Sequence, residues 1–389
     1  MKSKLLLGSL IAVIVLCWAA SSFALVNPRG TDETFDMATW NIETFPLRGQ
    51  RTVDTLAILI RDLDLDLIAF EEISDTLAFA DLLSQLPGWD GFYSPDFTSL
   101  GYQKTGLIYR TDEINILSWE PIFWNEGYAF PRPPLRITVQ ANMPSGTFDF
   151  YLIVLHLKAF DTDEDRARRQ AAMVLLKEYL DEIVPLLPDH DWIVVGDYND
   201  ELDDPPNENI FNDFLADSLD YDFLTLPLAS DPYWASYPGY NSMLDNILIT
   251  ADVLGEYGEN GETTTLRLDD EYRNYSYVIS DHRPVMAQFT NFQVGIEDTP
   301  ELPENITLHS YPNPFNANTN IAFSLKTRSH AKIDLYDCLG RHREALLDDD
   351  LEAGNYSVKL KGADLSSGVY FVRLVTDSGS QTVKINLIK

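Results

Sequence analysis

Six short segments set carboxylates, amides and imidazoles beside apolar, β-prone runs. They are Trp40-Asn41-Ile42-Glu43, Glu71-Glu72-Ile73, His156-Leu157-Lys158, Gly196-Asp197-Tyr198-Asn199-Asp200, Leu244-Asp245-Asn246 and Ser280-Asp281-His282-Arg283-Pro284. Strand ends at one edge of a sheet are where sites are commonly built. These residue types hold hard cations through oxygen and move protons. Taken singly, each segment is ordinary: Asp197-Tyr198-Asn199 reads as an Asx-type turn and His156 as a core histidine. The six in this order are far more specific. Of the six histidines, His309, His330 and His342 lie near the C-terminus, and His156 and His282 fall inside the segments. His190, in a polar loop, is given no role.

The elements that must position these residues follow from the pattern of apolar residues. β-branched and aromatic content predicts strands over 35–41, 66–70, 105–109, 135–141, 148–156, 192–196, 246–250 and 285–289. Helical spacing predicts helices over 53–63 and 164–181. In the second helix Ala167, Ala171, Val174, Leu175 and Leu180 are expected to share the buried face, with Arg166, Arg168, Arg169 and Lys177 mostly off it. Strands interleaved with helices predict an α/β or α+β domain over 25–294. Beyond it, Gly295–Asn305 is polar, carries two prolines and reads as a linker. From 306 to 389 short apolar runs at 321–325, 331–336, 355–360, 368–375 and 382–388 alternate with turn signals, the pattern of a small β-sandwich.

Composition narrows the function. The 389 residues carry 28 basic and 61 acidic side chains, a net charge of −33. A broad basic face for gripping nucleic acid or anionic lipid is excluded. Residues 303–389 are neutral, so the excess acidity sits on 25–302, which suits solubility or a site that attracts divalent cations. Lys2 and Lys4, the apolar run 5–20 and Ser22-Phe23-Ala24 have the layout of a secretory signal peptide over residues 1–24. The run is shorter than a membrane span requires, so no stable span is expected in the mature protein. Cys17 lies inside it, which leaves Cys338 alone. That excludes a disulfide scaffold and a Cys-ligated zinc domain.

The ordered segments resemble the endonuclease/exonuclease/phosphatase superfamily, the metal-dependent phosphoesterases related to DNase I. Gly196-Asp197-Tyr198-Asn199 and Ser280-Asp281-His282-Arg283-Pro284 are the most specific parts, and the resemblance spans roughly 34–292. His156 followed by an Arg-rich helix is similar to the secreted bacterial branch. The resemblance implies an α+β fold, a four-layer αββα sandwich. It implies a metal site at Asn41 and Glu72, with Asp281 a further candidate. Asp197 and Asn199 would orient the attacking water and the scissile phosphate, His156 and His282 would flank the phosphate, and Asp245 would hold His282. Arg132 would contact the phosphate. Glu71 departs from the family, which often has Gln there; the extra acid is expected to perturb metal affinity or to face solvent. Oxygen-rich ligands favour Mg²⁺, Mn²⁺ or Ca²⁺ over zinc. Arg110, Arg132, Arg136, Lys158 and Arg283 are expected to neutralise the few phosphates in contact.

The C-terminal run, with Tyr311-Pro312-Asn313-Pro314-Phe315, Tyr336-Asp337-Cys338-Leu339-Gly340-Arg341 and Ser367-Gly368-Val369-Tyr370, resembles the type A sorting domain of type IX secretion. It implies the type IX machinery as a partner and a secreted or surface-attached protein of a Gram-negative bacterium. The expected function is an extracellular nuclease acting on DNA or RNA, as a monomer. The alternatives are a phosphatase or phospholipase-C-like enzyme on sugar or lipid phosphates, with Tyr233–Tyr237 as an exposed aromatic hairpin or a loop packed over the site, or a non-catalytic binding protein.

Overall fold

A computed structural model describes residues 24–95, 103–187, 189–292 and 308–389, except 312, 314, 326, 338–340, 364, 378 and 388. The expected signal peptide (all but Ala24), the linker 295–305 and Cys338 lie outside the described residues. The chain divides into two compact units, with a division after Phe292.

In the first unit the elements run β1 (Phe35–Phe45), α1 (Gln50–Leu63), β2 (Leu67–Ile73), α2 (Thr76–Ser84), β3 (Trp89–Tyr93), β4 (Lys104–Arg110), β5 (Ile114–Pro121), β6 (Leu135–Met143), β7 (Gly146–His156), α3 (Asp163–Ile183), β8 (Trp192–Asp197), β9 (Tyr221–Phe223), β10 (Asp245–Thr250), β11 (Glu262–Thr265) and β12 (Val285–Phe289), with short helical turns between them. The strands form two six-stranded mixed sheets, ordered β11-β12-β1-β2-β4-β3 and β5-β6-β7-β8-β10-β9.

Strand periodicity sets the layers. Successive side chains on a strand point to opposite faces. Phe35 and Met37 of β1 and Leu67 and Ala69 of β2 therefore face Leu152, Val154, Ile193, Val195 and Ile247 of the other sheet in one core. Ala38, Trp40, Ile68 and Phe70 point outward and pack with Val53, Leu56 and Ile60 of α1. On the second sheet Trp192 points outward and meets Tyr179 of α3 edge-on, 6.1 Å between ring centroids. The result is an α+β fold of four layers, helix–sheet–sheet–helix.

Elements without a clear period escaped the sequence. β3 and, apart from buried Ile114, β5 are half-buried to exposed, and β9 and β11 have three and four residues. The α2 helix is short, but its start is written in Asp75, whose carboxylate accepts from the backbone N–H of Leu77 and Ala78 at 2.8 and 3.1 Å.

The face expected for α3 is corrected. Ala167 is exposed, while Arg169, Ala172, Met173, Leu176 and Leu180 are buried. Arg169 reaches this face because its guanidinium is paired and hydrogen-bonded there. Nε donates to Asp200 at 2.7 Å, and Nη1 donates to the carbonyls of Lys158 (3.0 Å) and Phe160 (2.5 Å). A buried charge is tolerated when paired and hydrogen-bonded.

The second unit is all β. β13 (Leu308–Tyr311), β14 (Asn318–Leu325) and β17 (Gly354–Lys361) form one sheet, ordered β13-β14-β17. β15 (Ser329–Asp337), β16 (His342–Leu351), β18 (Gly368–Thr376) and β19 (Gly379–Leu387) form another, ordered β16-β15-β18-β19. Ile321, Phe323, Ile333, Leu335, Val372 and Leu374 share its core. β16 was not expected, because Asp348-Asp349-Asp350 has no strand signal; as an edge strand it carries these charges outward. Among the described residues no helix is long and apolar enough to cross a membrane.

Candidate active site

The core between the two sheets turns polar at one edge. Asn41 and Glu71 continue the inward face of β1 and β2, His156 that of β7, Asp197 that of β8, and Asp245 opens β10. Pairing aligns them: Asn41 lies beside Glu71, His156 beside Asp197, and Asp245 beside Asp197. The stacking of the sheets then closes the gap, and Asn41 Nδ2 donates to Asp197 Oδ2 at 2.9 Å. The loop before β12 joins them. Ser280 Oγ donates to the Asn41 carbonyl at 2.6 Å and accepts from the His282 N–H at 3.0 Å.

Irregular strand ends supply the remaining groups. Pairing of β1 shifts between Asn41 and Phe45, and that of β2 with β4 shifts between Phe70 and Ile73. Glu43, Thr44 and Glu72 sit there with φ of 35°, 48° and 66°. Such angles are uncommon outside glycine and break the alternation. Glu43 and Glu72 thus line the same cleft as Asp197, Asn199, Asp281 and His282, a cavity of about 640 Å³. Glu72 Oε2 accepts from the Thr44 N–H at 2.8 Å and from Gln103 Nε2 at 2.6 Å. Asn199, itself at φ 53°, donates its N–H to Asp197 Oδ1 at 2.9 Å.

The two histidines differ electrostatically. His282 Nδ1 lies 2.7 Å from Asp245 Oδ2. Burial would lower the pKa of His282, but Asp245, and then Asp197, outweigh it and raise it to about 10. His282 is therefore an imidazolium at neutral pH. Burial, and then the neighbouring charges of Arg132 and His282, push His156 well below its ordinary value, so it is neutral. Its Nε2 lies 3.5 Å from Asp197 Oδ2 and 3.9 Å from Glu72 Oε1. Burial and then the neighbouring Asp245 raise Asp197 to about 7.

Glu71 does not face solvent. It is fully buried, accepts from Thr39 Oγ1 at 2.9 Å, and is raised well above the usual carboxylate range by burial and then by Asp245. It packs beneath the site, because position 71 continues the inward face of β2.

Arg132 stands near the site: Nη2 donates to Gln103 Oε1 at 2.9 Å and Nη1 to the Leu157 carbonyl at 3.2 Å. The other four basic residues expected to neutralise phosphates are paired elsewhere. Arg110 pairs with Asp64, Arg136 with Glu120, Lys158 with Asp165 and Arg283 with Asp269. Excess acid on this unit pairs with its few bases. The Tyr233–Tyr237 segment is not a hairpin. It holds a helical turn, Pro232–Trp234, after which Ser236 is buried and the Tyr237 ring packs on His282 at 4.8 Å between centroids.

The donor set fits a divalent cation. Glu43, Glu72 and Asp281 converge on one cleft with oxygen donors. Burial raises the pKa of Glu43, and the Asp281 and Glu72 charges add to the rise. Burial also raises Asp281, with Glu72 a contributor. This repulsion is what a hard cation relieves. Asp197, Asp245 and His282 also place one ligand atom each within 4.8 Å, a grouping able to hold a metal. In that grouping His282 Nδ1 is already engaged by Asp245 at 2.7 Å. Glu43 is the residue that motif reading left without a role; its signal was its place two residues after Asn41.

Two paired sheets thus bring buried acids and histidines together at one edge. The model of the Endonuclease/Exonuclease/phosphatase family matches residues 38–282, and the chain belongs to that family, whose members are hydrolases acting on phosphoester bonds. The model of the secretion system C-terminal sorting domain matches residues 309–389. Such a domain engages secretion machinery and supports secretion or surface attachment. No curated protein matches the chain. Similar solved structures include the human Nocturnin catalytic domain with bound sulfate anion (20% identity, 66% of this chain and 93% of that one, TM-score 0.48). Another is D. rerio TDP2 complexed with single strand DNA product (15%, 66% and 98%, TM-score 0.48). A third is an endonuclease/exonuclease/phosphatase from Bacteroides vulgatus (17%, 66% and 98%, TM-score 0.47).

Proposed function

We propose that the protein is a secreted, divalent-metal-dependent phosphodiesterase that hydrolyses nucleic acid outside the cell. The observation that carries this reading is the His282–Asp245 pair at 2.7 Å facing Asp197 in a cleft that also gathers Glu43, Glu72 and Asp281. In this reading Glu72, Asn41, Asp281 and Glu43 hold the cation, with Mg²⁺ the best match to oxygen donors and Mn²⁺ or Ca²⁺ as substitutes. When bound, the cation neutralises phosphate oxygens and makes phosphorus more open to attack. Asp197 orients the attacking water and takes its proton, helped by Asn199, which anchors the carboxylate. His282, kept charged by Asp245, donates to the phosphate oxygens as negative charge grows on them; as the water oxygen adds, the bond from phosphorus to the leaving sugar oxygen breaks, and that oxygen takes a proton from solvent. Neutral His156 and Arg132 contact the phosphate from the β7 side.

The signal peptide 1–24, the catalytic domain 25–294, the linker 295–305 and the sorting domain 306–389 complete the proposal. Type IX export would release the protein or attach it to the surface of a Gram-negative cell, where it acts as a monomer. One observation favours a second reading, hydrolysis of small sugar or lipid phosphates. The cleft is lined with carboxylates, and its two arginines, Arg166 and Arg169, pair with Asp161 and Asp200.

The test is hydrolysis by the purified protein of DNA, RNA, p-nitrophenyl phosphate and sphingomyelin side by side. EDTA should abolish turnover and Mg²⁺ restore it, and Asp197→Ala and His282→Ala should each lower kcat at least ~100-fold. Metal-independent turnover, or activity surviving Asp197→Ala, would refute the mechanism. Turnover of a monoester or lipid without cleavage of nucleic acid would transfer the same mechanism to the second reading.

A further inference from the structure

The active-site cleft is acidic, yet aromatic rings stand exposed in it. Tyr240 is 75% exposed and lies flat on Tyr237, with 5.3 Å between centroids and 8° between planes. Tyr237 in turn packs on His282. Phe160, 76% exposed, lines the same cleft. Its φ of 78° is an outlier for a bulky residue. The buried Arg169 enforces it by gripping the Lys158 and Phe160 carbonyls while Asp200 holds the guanidinium. Lys158 Nζ sits 4.5 Å from the Phe160 ring centroid. Two large apolar rings are thus held toward water where burial would have been favourable.

We infer that Tyr240 on Tyr237, and Phe160, are stacking positions for the bases next to the scissile phosphate, which makes unpaired nucleotides the substrate class. The inference rests on the nucleic-acid reading above and narrows it. A duplex buries its base faces and presents phosphates, for which this acidic cleft has no track of unpaired cations among the lining arginines. A single strand presents π-faces, and base–aromatic stacking is tolerant of sequence and independent of backbone charge. Position beside His282 places the tyrosine pair within a nucleotide's reach of the phosphate site.

The test compares kcat/KM of the full chain, with Mg²⁺, on a short single-stranded oligodeoxynucleotide and on the same oligomer carrying abasic tetrahydrofuran residues. The base-bearing oligomer should be preferred by about tenfold, from stacking of the size seen for single bases. In Tyr240→Ala and in Phe160→Ala that ratio should fall severalfold, through KM, and it should collapse toward one in the double variant. Tyr240→Phe, which keeps the ring, should retain it. Both side chains are mostly exposed, so the truncations leave the core intact. A wild-type ratio near one, or a ratio unchanged in the alanine variants, overturns the inference while nucleic-acid cleavage stands. Failure of the wild type to cut these oligomers or their oligoribonucleotide counterparts, with turnover of another phosphoester, overturns the nucleic-acid reading itself and this inference with it.

Discussion

At the scale of single residues, neighbours rather than residue type set the chemistry. His156 and His282 share one site, yet one is neutral and the other charged, because only His282 has a carboxylate at 2.7 Å on its second nitrogen. This gives a prediction with a sign. Asp245→Asn removes the charge that raises His282 to about 10, so its pKa returns toward the ordinary value of about 6.5. The alkaline limb of the pH–rate profile should move down by more than a unit, and kcat at pH 8 should drop on the order of 100-fold. A pH–rate series at saturating Mg²⁺ reads both, and an unmoved limb would show that Asp245 does not set the charge of His282. Asn41, Asp197, Asp245 and His282 were legible in the sequence as residue types at strand ends. The burial of Glu71 and the convergence of Glu43 were not, since both depend on what lies across the sheet interface.

At the scale of elements, α3 shows what helical periodicity can and cannot report. The spacing located the helix within a few residues and put Leu180 on its buried face, but it turned the rest of that face away from Ala172, Met173 and Leu176, because Arg169 read as a surface cation. In the fold its guanidinium joins α3 to the loop after β7 and to Asp200 after β8. Removing one partner of such a buried pair leaves an uncompensated charge. Arg169→Met should therefore destabilise the protein by about 3–5 kcal/mol. The double variant Arg169→Met/Asp200→Asn should recover part of that loss, as read by urea unfolding. Equal stability of the single and double variants would assign the loss to packing alone. The β1 and β2 ends teach a related lesson. A strand pattern ends where alternation ends, but only the shifted pairing at Asn41–Phe45 and Phe70–Ile73 explains why Glu43 and Glu72 enter the cleft.

At the scale of the whole molecule, the charge of −33 reappears as strain that protons relieve. Burial and neighbouring acids raise Asp66 to about 9 and Asp191 to about 8. The folded state holds these protons over a range in which the unfolded chain has released them near pH 4, so stability falls as pH rises through that window. His282 adds the same sign: its stabilisation is complete below about 6.5 and lost as pH climbs through about 10. Urea unfolding without metal should therefore show stability declining from about pH 5 to about pH 9. Asp66→Asn should flatten the slope by up to about 1.4 kcal/mol per pH unit. A slope unchanged by Asp66→Asn would show that this carboxyl is ionised in the fold. The sequence by itself determined the alternation of strands and helices, the acidic balance and the ordered set of polar residues at strand ends, because periodicity and residue type are local properties. Tertiary structure alone decided that Asn41 meets Asp197, 156 residues away, that Arg110, Arg136, Lys158 and Arg283 are spent on ion pairs, and that Tyr237 covers His282. Those outcomes depend on how two sheets stack and which loops close over their edge, and no window along the chain contains both partners.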